Sequence, residues 1–256
     1  MLKKWKLSIP ELTGSELRRA YIYLPESYEY DQDMYYPVMY MFDGHNIFLD
    51  SDATYGKSWG MKDYMDETET QMIIVAVECN HSPDHGRLRE YSPFDFNDPN
   101  YGHFHGMGDI TMNWMVNTLK REIDRCYRTR PEREYTFIGG SSMGGLMSIY
   151  AAIAYNHLFG CVAALSPSIL VNITQLTKLI REAQLDTNTI IYMDYGANEI
   201  NFHPNMRKQF RKVTKLLLER DLLVTSRIVP DGDHCEACWE KQLPYFMHIL
   251  TYSIDQ

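Results

Sequence analysis

The five-residue string Gly140-Ser141-Ser142-Met143-Gly144 constrains the fold more than any other part of this chain. It matches G-x-S-x-G, the sharp turn between a strand and a helix that exposes a nucleophilic serine. The apolar run 135–138 before it predicts a buried strand, and the run 146–153 after it predicts a helix that begins at once. Glycine suits both outer positions because so tight a turn leaves little room for side chains.

Two adjacent serines compete for the central position of this turn, and the spacing of the glycines selects Ser142. Ser142 has glycine two residues before it and two residues after it, whereas Ser141 is followed two residues later by Met143. The alternative is a glycine-rich turn that only packs a helix against a sheet. The strand and helix patterns on either side favour a nucleophile.

Length and composition favour one enzyme domain. A chain of 256 residues can bury a sizeable core, so we predict a single domain over 1–256. The net charge of −9 makes nucleic acid an unfavourable partner, because an acidic surface repels phosphate. The sequence has no membrane-spanning apolar run, no signal peptide and an odd number of cysteines, five. These features predict a cytoplasmic protein without a membrane partner, and a homodimer stays open as an alternative.

Strand-like and helix-like segments alternate along the chain. Continuous apolar runs at 36–42 and 72–77 are typical of parallel strands covered on both faces. The remaining patterns predict strands at 18–24, 161–165, 190–193 and 222–229, and helices at 109–127, 203–220 and 237–252. This alternation predicts an α/β domain with a doubly wound, mostly parallel sheet flanked by helices.

Two segments that connect predicted strands and helices affect how accessible the proposed serine is to substrates. The segment 79–108 shows no periodicity, and loops of that length in compact domains are usually functional or disordered. Its aromatic residues favour a packed loop near the mouth of the site. Between the predicted strands 161–165 and 190–193 there is room for one helix, so we expect no large lid. Such a site suits small or water-soluble substrates.

A nucleophilic serine needs a histidine to accept its proton and a carboxylate to orient that histidine. In folds with this turn the order along the chain is serine, acid, histidine. His234 is predicted as the base because it lies between the last strand and the last helix. The acid is expected after the preceding strand, where Glu199 is preferred and Asp194 is a rival. Asp231 and Asp233 are so close in sequence to His234 that reaching its Nδ1 would be awkward.

Two backbone N–H groups are expected to form the oxyanion hole. One belongs to Met143, directly after the nucleophile. The other is assigned to His45, in the loop Asp43-Gly44-His45-Asn46 that follows the predicted strand 36–42. The alternative for this loop is an ordinary turn.

The sequence predicts neither a metal nor a cofactor. Cys235 and Cys238 form one C-x-x-C pair, but a zinc site needs four ligands and no second pair exists. His103 and His105 have the spacing of metal ligands, yet a polar loop produces such pairs freely. Arg87 and Arg89 are expected to hold the long loop through local acidic residues, and the alternative is that they bind a carboxylate on a substrate.

Five segments, including the serine turn, match one known pattern: 37–44, 140–146, 166–168, 196–199, and 232–234 with Trp239 and 243–246. In this combination the chain resembles the putative esterase family of α/β-hydrolases, related to feruloyl esterases, S-formylglutathione hydrolases and enterochelin esterases. The resemblance extends from about Arg18 to the C-terminus. The resemblance implies an α/β-hydrolase fold and ester hydrolysis through an acyl-enzyme. By the family's pattern, Ser142 is the nucleophile, Glu199 the acid and His234 the base.

Two positions depart from the family's pattern. Many relatives have His-Gly where this chain has Asp43-Gly44, and Glu199 replaces the commoner aspartate, so its loop must lie further back. The expected function is a serine esterase for small or soluble carboxylic esters. The alternatives are a thioester, feruloyl or siderophore ester hydrolase with the same machinery, and a catalytically silent member that binds a ligand.

Overall fold

The computed structural model describes residues 1–201 and 204–252. Ten strands occur within these ranges: β1 (Leu2–Ser8), β2 (Leu17–Tyr23), β3 (Val38–Met41), β4 (Ile73–Val77), β5 (Phe96–Asp98), β6 (Gly102–Phe104), β7 (Thr136–Ser141), β8 (Cys161–Leu165), β9 (Ile190–Gly196) and β10 (Leu223–Val229). Strands β5 and β6 form a small hairpin, and the other eight form one sheet.

The large sheet has the strand order β1-β2-β4-β3-β7-β8-β9-β10. Strand β2 is antiparallel to both of its neighbours, and every pair from β4 to β10 is parallel. The predicted α/β fold with a mostly parallel sheet is therefore confirmed. The carboxyl ends of β3, β7, β8, β9 and β10 lie at one edge of the sheet, which is where open α/β sheets place their sites.

The described α-helices are α1 (Pro10–Thr13), α2 (Ser27–Tyr30), α3 (Met61–Glu67), α4 (Gly86–Glu90), α5 (Gly108–Trp114), α6 (Arg121–Cys126), α7 (Met143–Ala154), α8 (Ile173–Glu182), α9 (Met206–Leu218), α10 (Glu236–Glu240) and α11 (Leu243–Thr251). A π-helical segment, Met115–Lys120, joins α5 to α6. The predicted helix 203–220 corresponds to α9, and its first residue, His203, lies outside the described residues.

The predicted closing helix 237–252 is wrong as one element, because it is divided into α10 and α11. Pro244, in the first turn of α11, has no N–H to donate to the carbonyl of Glu240, as a continuous helix would require. Proline is tolerated in a first turn, where N–H groups have no intrahelical partner.

Two apolar layers cover the two faces of the sheet. On β3, Val38 and Tyr40 point into one layer, whereas Met39 and Met41 point into the other. This alternation follows from the two-residue period of a strand. Burial on both faces explains why the central strands are continuous apolar runs in the sequence.

The two connections singled out in the sequence differ in structure. Only α8 and short turns separate β8 from β9 in the described chain, so no large lid is inserted there. The segment 79–108 contains α4 and the β5–β6 hairpin, in which the rings of Phe96 and Phe104 stack with centroids 4.9 Å apart. Among the helices of residues 1–201 and 204–252, none has the length and apolar character of a membrane span.

Candidate active site

Ser142 occupies the turn between β7 and α7, in the middle of the sheet. Its backbone has φ 58° and ψ −121°, a conformation that costs a residue other than glycine about 1–3 kcal/mol. A Cβ atom on Gly140 would lie 2.9 Å from the carbonyl carbon of Gly144, so a side chain there would force the turn apart. The backbone thus has the sharp geometry expected from G-x-S-x-G.

The two neighbouring serines have different surroundings. Ser141 ends β7 and is buried, with Leu165 as its partner on β8. The hydroxyl of Ser142 is hydrogen-bonded to that of Ser168 at 3.3 Å. In the described residues, no hydrogen bond joins Ser142 to His234, although both side chains line the same two cavities.

Glu199 and His234 are in direct contact, with Oε2 of Glu199 2.7 Å from Nδ1 of His234. The carboxylate is buried, whereas the imidazole side chain is 44% exposed. Their two loops meet at glycines, because a Cβ on Gly196 would lie only 2.4 Å from the carbonyl oxygen of Gly232. This close approach lets a glutamate loop reach the histidine loop across the sheet edge.

The second oxygen of Glu199 is held by two donors. Its Oε1 accepts hydrogen bonds from the Ser166 hydroxyl at 2.6 Å and from the Gly196 N–H at 2.8 Å. The Ser166 hydroxyl in turn accepts the indole N–H of Trp239 at 3.1 Å. The Trp239 ring also lies edge-on to His234, with ring centroids 5.1 Å apart. The carboxylate is therefore fixed in the orientation that contacts the imidazole.

Asp194, the rival acid, lies elsewhere in this network. Its carboxylate accepts the Tyr192 hydroxyl at 2.8 Å and the Ser166 N–H at 3.3 Å, and it has no hydrogen bond to His234 within the described chain. Burial is the main cause that raises the pKa of Asp194 to about 7. Of the two candidates, the structure brings only Glu199 against the imidazole.

The two N–H groups assigned to the oxyanion hole are both free of hydrogen bonds to other described residues. Met143 is the first residue of α7, where N–H groups have no carbonyl one turn earlier. His45 lies in the 3₁₀ turn after β3. The N–H groups of the two residues that follow it, Asn46 and Ile47, donate to backbone carbonyls at 2.8 and 3.3 Å. A Cβ on Gly144 would lie 2.9 Å from the Cβ of Phe42, so the two turns are in contact.

Asp43 forms an ion pair with Arg87, in which the carboxylate is buried and the arginine side chain is 30% exposed. The guanidinium donates two hydrogen bonds of 2.7 Å to the two carboxylate oxygens. Burial by itself would raise the pKa of Asp43, but the charge and hydrogen bonds of Arg87 outweigh it and lower that pKa. The pair ties the turn after β3 to α4 of the long segment.

Two cavities meet at Ser142 and His234. The larger, of about 520 Å³, is lined on one side by polar residues that include Lys57, His81 and Arg87. The smaller, of about 480 Å³, is bordered by Tyr195 and Met206. The segment 79–108 thus contributes Cys79, His81 and Arg87 to the wall of the larger cavity, whereas none of its phenylalanine and tyrosine residues lines either cavity.

Comparisons with known proteins agree with this fold. The family described as Putative esterase matches residues 13–247. The Bacillus subtilis (strain 168) protein described as Uncharacterized protein YbbA is 24% identical over 202 residues, which are 77% of this chain and 75% of that protein. A ferulic acid esterase structure has a TM-score of 0.73 at 18% identity, over 98% of both chains. The enterobactin esterase FES from Shigella flexneri, solved in the presence of enterobactin, has a TM-score of 0.74 at 17% identity, over 99% of this chain and 59% of that chain.

Proposed function

The chain belongs to the putative esterase family, and on that premise we propose that it is a serine esterase for small or soluble carboxylic esters. The observation that carries the proposal is the 2.7 Å contact between Glu199 and His234, in a site that also holds Ser142 on a strained turn. Ser142 acts as nucleophile, His234 as base and Glu199 as acid. No cofactor or metal is required for this chemistry.

The reaction follows from the positions of these three side chains. The Ser142 hydroxyl turns from Ser168 towards His234, gives its proton to Nε2 and attacks the ester carbonyl carbon. The Glu199 carboxylate accepts a hydrogen bond from Nδ1 and stabilises the imidazolium that forms. The bond to the alcohol then breaks as His234 returns the proton to the leaving oxygen. Water, activated by the same imidazole, hydrolyses the acyl-serine and regenerates the site.

The negative oxygen of the tetrahedral intermediate is bound by the backbone N–H groups of Met143 and His45. Both groups are available, because neither donates to another described residue. A single preorganised donor of this kind contributes about 10²- to 10³-fold to the rate. Asp43 and Arg87 support the second donor by fixing the turn that contains His45.

A second candidate is the hydrolysis of a feruloyl, siderophore or thioester bond by the same machinery. It is favoured by the aromatic side chains of Tyr55 and Trp239 in the lining of the larger cavity, which suit a phenolic ring. The cations of Lys57 and Arg87 in the same lining are already paired with Glu240 and Asp43. The neighbours named as a ferulic acid esterase and an enterobactin esterase share the fold. A panel of nitrophenyl, feruloyl, catechol and thioesters under identical conditions would separate these substrate classes.

The test of the proposal is covalent labelling with a fluorophosphonate, followed by location of the adduct by mass spectrometry. We expect one adduct, on Ser142, and its loss in Ser142→Ala. The matched control is Ser141→Ala, which should still be labelled. Ester hydrolysis should fall by about 10⁴-fold or more in Ser142→Ala. An unlabelled wild-type protein would indicate a binding protein, and an adduct on Ser141 would contradict the assignment.

A further inference from the structure

Three metal-binding side chains meet in the larger cavity, beside the turn that contains the proposed oxyanion donor. His45 comes from the turn after β3, and Cys79 and His81 follow β4. One ligand atom from each residue lies within 4.8 Å of those of the other two. Sequence spacing does not reveal this group, because His45 and Cys79 are 34 positions apart in the chain. Adjacent parallel strands β3 and β4 bring their carboxyl ends together.

The separation of the ligand atoms of Cys79 and His81 is close to that in a tetrahedral zinc site. Zinc bonds of about 2.3 Å to sulfur and about 2.0 Å to nitrogen, at tetrahedral angles, place the two ligand atoms about 3.5 Å apart. In the structure, Sγ of Cys79 lies 4.0 Å from Nε2 of His81. A movement of a few tenths of an ångström therefore suffices for this pair. His81 is the partner with room to move, because its side chain is 49% exposed.

His45 provides a second, independent observation. The residue is 3% exposed, and its Nδ1 is buried without a hydrogen-bond partner among the described residues. Buried polar side-chain atoms are nearly always hydrogen-bonded, so such an atom needs an explanation. A buried imidazole that has an unpartnered nitrogen, and one ring nitrogen within 4.8 Å of a thiol and of a second imidazole, is consistent with an unfilled ligand set.

We propose that His45, Cys79 and His81 bind Zn²⁺, and that the bound ion inhibits the enzyme. A thiolate with two imidazoles suits zinc, whereas magnesium and calcium prefer oxygen ligands. On binding, the Cys79 thiol releases its proton to solvent, and His81 exchanges its 3.0 Å contact with Glu78 for the metal. The fourth position faces the cavity that Ser142 and His234 also line.

The inhibitory part of this inference rests on the proposed function. A cation at this place occupies part of the 520 Å³ cavity and holds the turn that carries the His45 N–H. A substrate that needs the cavity and this N–H is then excluded or misplaced. The ion is thus an inhibitor and not a cofactor, so a chelator should leave the metal-free protein fully active.

The first experiment measures binding without any ester, by titrating the full-length reduced protein with Co²⁺ and then displacing it with Zn²⁺. We expect the thiolate-to-cobalt charge-transfer band of a cysteine ligand. His81→Ala should weaken binding by at least about tenfold, since even residues behind the ligands change metal affinity by about 10- to 100-fold. Cys79→Ser should remove the charge-transfer band. His81→Ala keeps the test valid if the buried Cys79→Ser variant fails to fold.

Matched controls distinguish this site from other cysteines and histidines. Cys235→Ser removes the C-x-x-C pair beside His234, and His105→Ala removes an exposed loop histidine. Both should retain the cobalt band and the affinity of the wild type. Binding that survives His81→Ala but is lost in Cys235→Ser would overturn the proposal, as would the absence of a cobalt band in wild-type protein.

The second experiment measures hydrolysis of a nitrophenyl ester at increasing Zn²⁺, with EDTA added at the end. Inhibition of the wild type, reversal by EDTA and a tenfold weaker effect on His81→Ala are expected. Hydrolysis unaffected by zinc at saturating occupancy would overturn the inhibitory part. Cobalt binding in a protein that hydrolyses no ester would refute the proposed function and leave the metal site standing, so the two failures are distinguishable.

Discussion

The hydroxyl of Ser166 donates a 2.6 Å hydrogen bond to Oε1 of Glu199, the carboxylate whose other oxygen contacts His234. Ser166 is buried and its φ is 41°, so its backbone is held in an uncommon conformation at the end of β8. It also accepts the indole N–H of Trp239. A chain of hydrogen bonds thus runs from an indole through a hydroxyl to the carboxylate that orients the proposed base.

Ser166 should act as a positioning residue. We expect Ser166→Ala to lower kcat by about tenfold with little change in KM, because a less well-oriented carboxylate affects the transition state more than substrate binding. Steady-state kinetics on a nitrophenyl ester would measure this. The control is Ser92→Ala, another buried serine, whose hydroxyl binds Asn172 and the carbonyl of Phe94. Equal kcat values for both variants would contradict the role.

Glu199, and not Asp194, is predicted to orient His234. Glu199→Gln should reduce turnover by several orders of magnitude, since an amide cannot stabilise the imidazolium and can favour the wrong tautomer. Asp194→Asn should cost far less, because its carboxylate contacts Tyr192 and the Ser166 N–H. The measurement is kcat/KM of both variants at matched melting temperature. The reverse order of activities would assign the acid to Asp194.

Asp194 should make the protein less stable as pH rises. Burial raises its pKa to about 7, whereas an aspartate in an unfolded chain titrates near about 3.9. Between these values the folded state binds a proton that the unfolded state has lost, so the free energy of unfolding decreases with pH. Asp194→Asn stays neutral and should flatten this decline. Urea denaturation from about pH 4 to about pH 8 would test it, and identical slopes for variant and wild type would count against the buried carboxyl.

His234 should be essential for hydrolysis, because its imidazole accepts the proton of Ser142 in the proposed reaction. His234→Ala should lose most of its kcat. Steady-state kinetics on a nitrophenyl ester measure this loss, and His248→Ala, on α11, serves as a control. EDTA should not inhibit metal-free protein. Near-normal turnover of His234→Ala would refute its role as base.

Esters of short acids should be hydrolysed faster than esters of long ones. The described chain between β8 and β9 contains α8 and no large insertion, so nothing there encloses a long acyl chain. Rates on acetyl, butyryl and palmitoyl esters of one alcohol should decrease in that order. An optimum at palmitoyl would mean that the segment 79–108 forms an acyl tunnel.

The sequence predicted those parts of the structure that depend on local pattern. The apolar runs predicted β3 and β4 because strands buried on both faces lack polar residues, and the glycines around Ser142 predicted its turn. The long segment was less predictable, since α4 and the β5–β6 hairpin are too short to produce a periodic signal. The closing helix was predicted as continuous, and the position of Pro244 was the signal that could have divided it.

The network around Glu199 could not be predicted from spacing. Ser166 follows β8, Trp239 lies on α10, and only the fold brings them to the same carboxylate. The same holds for the cluster of His45, Cys79 and His81, which depends on the register of β3 and β4. Such contacts depend on three-dimensional packing, which a single sequence records only indirectly.

Within the described chain, Ser142 and His234 line both the 520 Å³ cavity and the 480 Å³ cavity, and every other lining residue belongs to one of these two cavities only. An ester also consists of two fragments joined at one carbonyl. If each fragment occupies its own cavity, the preferences for acid and for alcohol are encoded by separate sets of side chains. Substitutions near Met206 and substitutions near Lys57 can then diversify the two halves of the substrate independently, while the bond-breaking centre stays unchanged.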